Sequence, residues 1–261
     1  MVRSMANPQT ILHQTGEHTP LCSIIFPAHN EEVWLRKSLS AAQLALKENH
    51  LHGELIVTDN ASTDRTREVA LSCGATVVEE SIRQISRSRN KGASVARGKW
   101  LIFVDADTLI EPELVRKTIE LLESGTVCGG GAGVVFDHPT GWLATRVLDL
   151  WRWMSKTFRL AAGSYVFARA DLHREIEGFS TKVYAGEEVF YARALKKAGK
   201  KRGMRFVVIE EPPVITSGRK VTRGSTWRLL FSFLLVVLLP FSVRYRSLCP
   251  FWYDNRYRNE A

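Results

Sequence analysis

"KWLIFVDADTLIEPEL", residues 99–114, is the stretch on which the fold turns. Its "WLIFV" portion, residues 100–104, is an unbroken apolar run, fit for a strand buried on both faces. The run ends in two carboxylates, Asp105 and Asp107, one residue apart. Charge at the end of a buried strand is costly unless it is paired or binds something. In an extended chain, alternation would point both acids the same way. One could then grip a metal while the other orients a ligand. Hard oxygen donors suit magnesium or manganese, which keep part of their shell for water and phosphate. Downstream, Pro112 in "EPEL" marks the first turn of a helix ending near Gly125.

Three runs upstream share the strand character: "CSIIF" (22–26), "ELIVT" (54–58) and "ATVVE" (75–79). Helical segments fall between them. Asn30 can cap a helix from Glu31, with Leu35, Leu39, Ala42 and Leu46 on one face. Ser62 can cap a second, ending at Gly74, and a third covers roughly 86–96. Strand–helix alternation predicts an α/β fold with a mostly parallel central sheet flanked by helices. Ligands of such sheets sit at the carboxyl ends of the strands. There the sequence places Pro27, His29, Asn30 and Glu31 after the first strand, and Asp59, Asn60, Ser62 and Asp64 after the second. Asp105 and Asp107 follow the fourth. Three acidic clusters from separate parts of the chain converge on one sheet edge, which argues for a site. Asp64 is read as a helix cap, and His29 as a packing or hydrogen-bonding residue.

The second half is less regular. "TVCGGGAGVVF" (126–136) predicts a strand, and "SYVFARADL" (164–172) a strand and a turn. "EEVFYARALKKAGK" (187–200) predicts a helix, and "RFVVIE" (205–210) a last strand. The glycines at 129–133 do not make a dinucleotide fingerprint. The third glycine of GxGxxG would fall on Val134, and no helix opens after it.

The chain has 261 residues, 45% of them hydrophobic and 24% charged, enough for a well-filled core. Its four cysteines lie far apart, without a CxxC pair, so neither zinc nor a disulfide framework is expected. Residues 1–20 lack the apolar core of a secretion signal and read as a flexible arm before a domain at 21–220. From residue 219 onward, eight Lys and Arg face two acids, within a formal net charge of +9. The extension 221–261 also holds "LLFSFLLVVLLPF" (229–241), flanked by Arg228 and Arg244. As a helix this run covers about 20 Å, short of the roughly 30 Å hydrocarbon core. It reads as a re-entrant or interfacial helix with snorkelling arginines, a core helix or dimer contact being the alternative, and 225–249 as a membrane-surface contact. The aromatics here are mixed with aliphatic residues, which suits lipid and not nucleic acid.

Four blocks, "SIIFPAHNEE", "VTDNASTDRT", "RNKGASVARGKWLIFVDADT" and "GFSTKVYAGEEVFYARALKKAGK", together resemble the family 2 glycosyltransferases of GT-A fold. The short chain and "TSGRK" (216–220) look like the compact, stand-alone bacterial members, and the QxxRW motif of processive synthases is absent. The resemblance implies a metal-dependent, inverting transfer of one sugar from a UDP-, GDP- or dTDP-linked donor to a hydroxyl acceptor. By that resemblance Pro27, His29, Asn30, Glu31 and Asp59 hold the nucleoside. Arg89 and Asn90 close over base and ribose. Asp105 contacts the ribose or the metal, and Asp107 ligates Mn2+ or Mg2+. Glu188 falls where the family has its catalytic base, usually an aspartate, and the extra methylene leaves Glu187 as the alternative. A carboxylate at a helix N-terminus is stabilised as the anion, which should keep Glu188 ionised. A nucleotidyltransferase would instead carry a glycine-rich basic loop after the first strand, where this chain has "PAHNEE". A non-catalytic membrane-bound binding protein of the same fold has no need of the DxD acids and the Glu pair. The expected location is cytoplasmic, peripheral at the inner face of the cell membrane, where a lipid-linked acceptor is available.

Overall fold

The computed structural model describes residues 19–137, 163–218, 243–249 and 253. The expected N-terminal arm, apart from its last two residues, and the apolar run 229–241 lie outside them, as do Arg219 and Lys220.

Strands β1 (Cys22–Ala28), β2 (Gly53–Asp59), β3 (Thr76–Glu79) and β4 (Trp100–Val104) alternate with helices α1 (Glu32–Glu48), α2 (Thr66–Ser72) and α3 (Ile85–Val95). The chain continues through β5 (Thr108–Leu109), α4 (Pro112–Glu123), β6 (Val127–Phe136), β7 (Tyr165–Arg169), α5 (Ala170–Glu175), α6 (Glu187–Lys201) and β8 (Arg205–Thr216). One eight-stranded sheet results, in the order β3-β2-β1-β4-β7-β6-β8-β5. It is parallel from β3 to β4, as the alternation predicts. It becomes mixed where β7 runs antiparallel to both β4 and β6, β8 parallel to β6, and β5 antiparallel to β8.

Alternation along the strands divides the core. Ile24, Phe26, Ile102, Val104 and Phe167 face α1, α2 and α4, while Ile25, Ile56, Leu101, Phe103 and Val166 face the α5–α6 side. Pro27 lacks an amide hydrogen, yet β1 is a central strand. It is tolerated because pairing with β4 stops at Ile25–Phe103, two residues earlier. Beyond that point β1 pairs only with β2, through Ala28–Asp59.

Several details differ from the sequence reading. Helix α1 begins at Glu32, and α2 at Thr66, four residues after Ser62. The expected turn after β7 is a short helix. Strand β8 runs past the two prolines to Thr216 because a register shift opposite Ala132–Val134 absorbs residues 210–213. The glycines of β6 serve packing: a Cβ on Gly130 would lie 2.1 Å from the Val207 carbonyl oxygen and 2.4 Å from the Phe167 ring.

The close approach of α3 to the sheet has the same origin and matters more for the site. A Cβ on Gly92 would sit 2.4 Å from Ile25 Cγ2 and 2.8 Å from Thr58 Oγ1. Gly92→Ala should therefore lift α3 from β1 and β2 and destabilise the fold by about 1–3 kcal/mol, read in urea denaturation. A neutral result would mean that Ile25 can yield without cost.

Candidate active site

The carboxyl ends of β2, β1 and β4 lie side by side, and their loops are tied to one another before any ligand is considered. The Asn60 amide hydrogen bonds the Ala28 carbonyl at 2.8 Å, and His29 Nδ1 donates to the Asn60 carbonyl at 2.8 Å. Asn30 accepts from the Thr63 amide at 2.8 Å, while its own amide donates to Ser62 Oγ at 3.1 Å. Asp59 Oδ1 accepts the Ser62 amide at 3.1 Å, closing a turn in which Ala61 has φ +57°. Glu31 is buried, and its amide donates to Thr66 Oγ1 at 2.8 Å. Asp64 accepts the amides of Thr66 and Glu32, joining the starts of α2 and α1, which extends the capping role read for it. Pro27 stands in β1 directly before this network.

The DxD pair departs from the extended geometry. Asp105 accepts the Thr108 amide on its carbonyl at 3.0 Å, so residues 105–108 form a turn and strand alternation no longer applies. Ser38 Oγ pins the turn by donating to the Ala106 carbonyl at 2.8 Å. Asp105, about one-third exposed in its side chain, meets Arg89. Asp107 is buried, and its carbonyl accepts the Ser217 amide at 3.1 Å. The turn thus carries the chain from central β4 to the pairing of β5 with β8. There the Gly218 amide donates to Asp137 Oδ1 at 2.7 Å, bringing the described start of "TSGRK" beside the DxD loop.

Arg89 joins the two halves of the site. It is 2% exposed. One terminal nitrogen donates to Glu187 at 2.7 Å; the other donates to Asp105 at 3.0 Å and to the Gly163 carbonyl at 2.9 Å. Its guanidinium lies 5.2 Å from the centroid of the Phe179 ring. Phe179 in turn stacks on Tyr191 at 3.9 Å and meets Phe103 edge-on at 5.0 Å. Burial holds His173 down to about 4, so this imidazole beside Tyr191 is neutral near pH 7. Asn90, expected over the base, has both halves of its amide on the Phe179 main chain at 2.8 Å. It fixes the loop that carries the ring under Arg89.

Glu187 and Glu188 open α6 after Gly186, whose φ of +67° glycine adopts without strain. The helix N-terminus does not keep Glu188 ionised. Burial, then the charge of Glu187, push it up to about 8 against its ordinary 4.5, and Arg89 offsets this only in part. Burial raises Glu187 as well, against the pull of Arg89. Gly163 lies against the same groups: a Cβ there would be 3.4 Å from the Arg89 guanidinium and 3.7 Å from the Glu188 carboxyl carbon. Sequence reasoning missed Gly163, Phe179 and Gln84. Gln84 is 1% exposed and links the Asn60 side chain to the carbonyls of Thr181 and Val183. The "GF" of the last quoted block was the one available signal.

Among the described residues, no three His, Cys, Asp or Glu gather closely enough to hold a metal by themselves. The donor set at the DxD turn is two carboxylates, one buried and one partly exposed. That set fits a small hard cation completed by water and phosphate oxygens.

A profile described as "Glycosyl transferase family 2" matches residues 23–171. This chain belongs to glycosyl transferase family 2. The family domain covers the loops after β1, β2 and β4, and the match stops before Glu187 and Glu188. Glycosyltransferase AglE of Haloferax volcanii is 24% identical over 193 residues, 69% of this chain and 62% of its own length. Three other curated relatives are matched over less than half of theirs. Two solved structures share the GT-A fold. The mannosyltransferase PcManGT of Pyrobaculum calidifontis, in complex with GDP-Man and Mn2+, superposes with a TM-score of 0.64. It is 20% identical, over 84% of this chain and 63% of that one. The glucosyl-3-phosphoglycerate synthase of Mycobacterium tuberculosis, with Mn2+, UDP and glucosyl-3-phosphoglycerate, has a TM-score of 0.57. It is 19% identical, over 83% and 79%.

The raised Glu188 carboxyl has a measurable consequence for stability. Below pH 4.5 it is protonated folded or unfolded, so it contributes no difference. As the pH rises towards 8 the unfolded chain ionises it while the folded chain resists, and stability is lost across that window. Glu188→Gln should therefore be more stable than the wild type, by a margin that grows from pH 4.5 to pH 8 in urea titrations with a chelator present. Parallel curves for the two proteins would mean that Glu188 is not held neutral.

Proposed function

We propose that this chain is an inverting hexosyltransferase that moves one sugar from a nucleotide-sugar donor to a hydroxyl acceptor. The observation that carries this reading is the Arg89 bridge. It joins Asp105 of the DxD turn to Glu187, the immediate neighbour of the base candidate Glu188. Groups suited to a donor diphosphate and to an acceptor hydroxyl thus share one site.

Pro27, His29, Asn30, Glu31 and Asp59 form the floor for the nucleoside, with Asp59 accepting hydrogen bonds from the base. Arg89 holds Asp105 towards the ribose, and Asn90 shapes the wall through Phe179. Asp107 with Asp105 would hold Mn2+ or Mg2+. When bound, such an ion neutralises charge that develops on the leaving nucleoside diphosphate. The complexes of PcManGT with GDP-Man and Mn2+ and of the synthase with UDP and Mn2+ support both donor class and ion.

Glu188 takes the proton of the acceptor hydroxyl. The freed oxygen bonds to the anomeric carbon as the bond to the diphosphate oxygen breaks, and one displacement inverts the configuration. A general base works best with a pKa near the operating pH. The value near 8 places Glu188 closer to that optimum than an ordinary glutamate. Glu187, held by Arg89, orients it.

The acceptor side faces a membrane in this reading, with the protein peripheral at the inner face and a lipid-linked hydroxyl as substrate. Support comes from the basic extension and from Arg244, Tyr245, Arg246 and Leu248, all exposed in its described part. Among the described residues no helix is long and apolar enough to cross a membrane.

A Mn2+-dependent turnover screen over UDP-, GDP- and dTDP-sugars tests the chemistry. One donor should be hydrolysed or transferred, Asp107→Ala should abolish the metal dependence, and Glu188→Gln should lower turnover at least ~10²-fold with donor binding retained. Full turnover in Glu188→Gln would move the base elsewhere. Flotation of the full chain with anionic vesicles, weakened by salt and absent with neutral vesicles, is the expected membrane behaviour. Equal behaviour with both vesicle types would remove the electrostatic part of that reading.

A further inference from the structure

The chain returns to the domain at its C-terminal end, away from the two large cores. Val243 and Cys249 are buried with Val183 and Ala185 in a small separate cluster, with Tyr184 and Tyr253 packed against it. The Tyr184 amide donates to the Val243 carbonyl at 2.6 Å. The Tyr184 and Tyr253 rings meet edge-on at 5.7 Å. Arg83 donates to the Tyr253 carbonyl at 3.0 Å, and the Arg246 guanidinium lies 5.4 Å from the centroid of the Tyr253 ring.

The contacts of Val243, of Cys249 and of the Tyr253 ring with Tyr184 fall on one loop, while Arg83 and the Ile85 amide hold Tyr253 at the start of α3. Residues 181–186 lead directly into Glu187 and Glu188, and their other side is held by Gln84 through the carbonyls of Thr181 and Val183. The loop is therefore clamped between Gln84 and the returning chain. Its last residue, Gly186, has open space around it and a left-handed backbone. Residues 181–185 thus set how the chain enters the first turn of α6, alongside the grip of Arg89 on Glu187. Cys249 and Tyr253 are close enough to the glutamates that, after burial, the charge of Glu187 also raises both.

We propose that Val243–Cys249 together with Tyr253 is a positioning strap that clamps the 181–186 loop and so aims Glu187 and Glu188. The described contacts of the strap are with residues 183–185, Arg83 and the Ile85 amide. Its catalytic effect rests on the reading of Glu188 as base, whereas its hold on the loop does not. A misplacement of about 1 Å at a reacting group can lower a rate roughly 10²-fold. A loosened strap should thus lower kcat while leaving donor affinity, set by the loops after β1 and β2, unchanged.

The test uses the full chain with Val243→Ala combined with Tyr253→Ala, and Tyr253→Phe as the conservative variant. Three quantities are read: amide hydrogen exchange across 181–188, donor Kd by calorimetry, and kcat of transfer. In the double variant, exchange in that segment should speed up while exchange in β1, β2 and β4 is unaltered. Its kcat should fall roughly 10- to 100-fold, with the donor Kd held. Tyr253→Phe keeps the ring and the main-chain bond from Arg83, gives up only the long 3.5 Å bond from the Ile85 amide to the hydroxyl, and should stay close to the wild type in all three. Unaltered exchange across 181–188 in the double variant overturns the strap, as does loosened exchange with full kcat. If the wild type turns over no donor, the function proposed above falls, and the exchange arm still decides whether the strap holds the loop.

Discussion

The buried guanidinium of Arg89 is the interaction on which the rest of the site depends. A cation at 2% exposure is sustained only by partners of opposite charge and by hydrogen bonds. It has two carboxylates and a carbonyl, from the turn after β4, the start of α6 and the segment entering β7. These come from opposite sides of the point where the sheet changes from parallel to antiparallel. Removing the cation would leave Asp105 and Glu187 as two acids near each other in a poorly solvated place. A charge cluster of this kind is weak evidence for stability. Among the described residues the Nε of Arg89 has no hydrogen-bond partner, and a hydrophobic replacement of such a charge cluster is often neutral or better for stability. What an apolar side chain cannot do is hold two carboxylates in a fixed relation.

The support under Arg89 explains why its position is so narrowly set. From above, α3 is brought down on β1 and β2 by Gly92. From below, Phe179 is braced by Tyr191 and Phe103, and its backbone is clasped by Asn90. Arg89 and Asn90 are neighbours on one helix, so one short element holds both the charge and the ring beneath it. The adjacent pair in "RNKG" therefore acts as a unit.

Much of this was readable in the residues, and the failures share a cause. Strands β1, β2 and β4 are built on short apolar runs, unbroken in β4, so these runs and their polar endings located the sheet edge and the acids of the site. Helices α1, α3, α4 and α6 declare themselves through spacing, Pro112 and the glycines that follow them. What escaped depends on partners distant in sequence. Strand β5 is two residues long and exists because β8 lies beside it. β8 passes its prolines because β6 shifts register opposite them. Asp105 and Asp107 looked like an alternating pair, but the chain turns there to reach β8. The dipole argument for Glu188 was sound for an exposed helix end. It failed because burial and the charge of Glu187 outweigh a terminus worth a fraction of a kcal/mol to about 2 kcal/mol.

The same distinction governs the C-terminal residues. A basic, apolar extension invites a reading in which it leaves the domain for a membrane. Val243, Cys249 and Tyr253 instead meet the loop before the glutamates. The two ideas are compatible in one geometry. The described end of the extension is packed on the domain at Val183 and Ala185, whatever the run before it meets. A loop clamped from both sides also explains how Gly186 can be left unsupported: the neighbouring residues fix what glycine leaves free, and Arg89 fixes Glu187 from the other end.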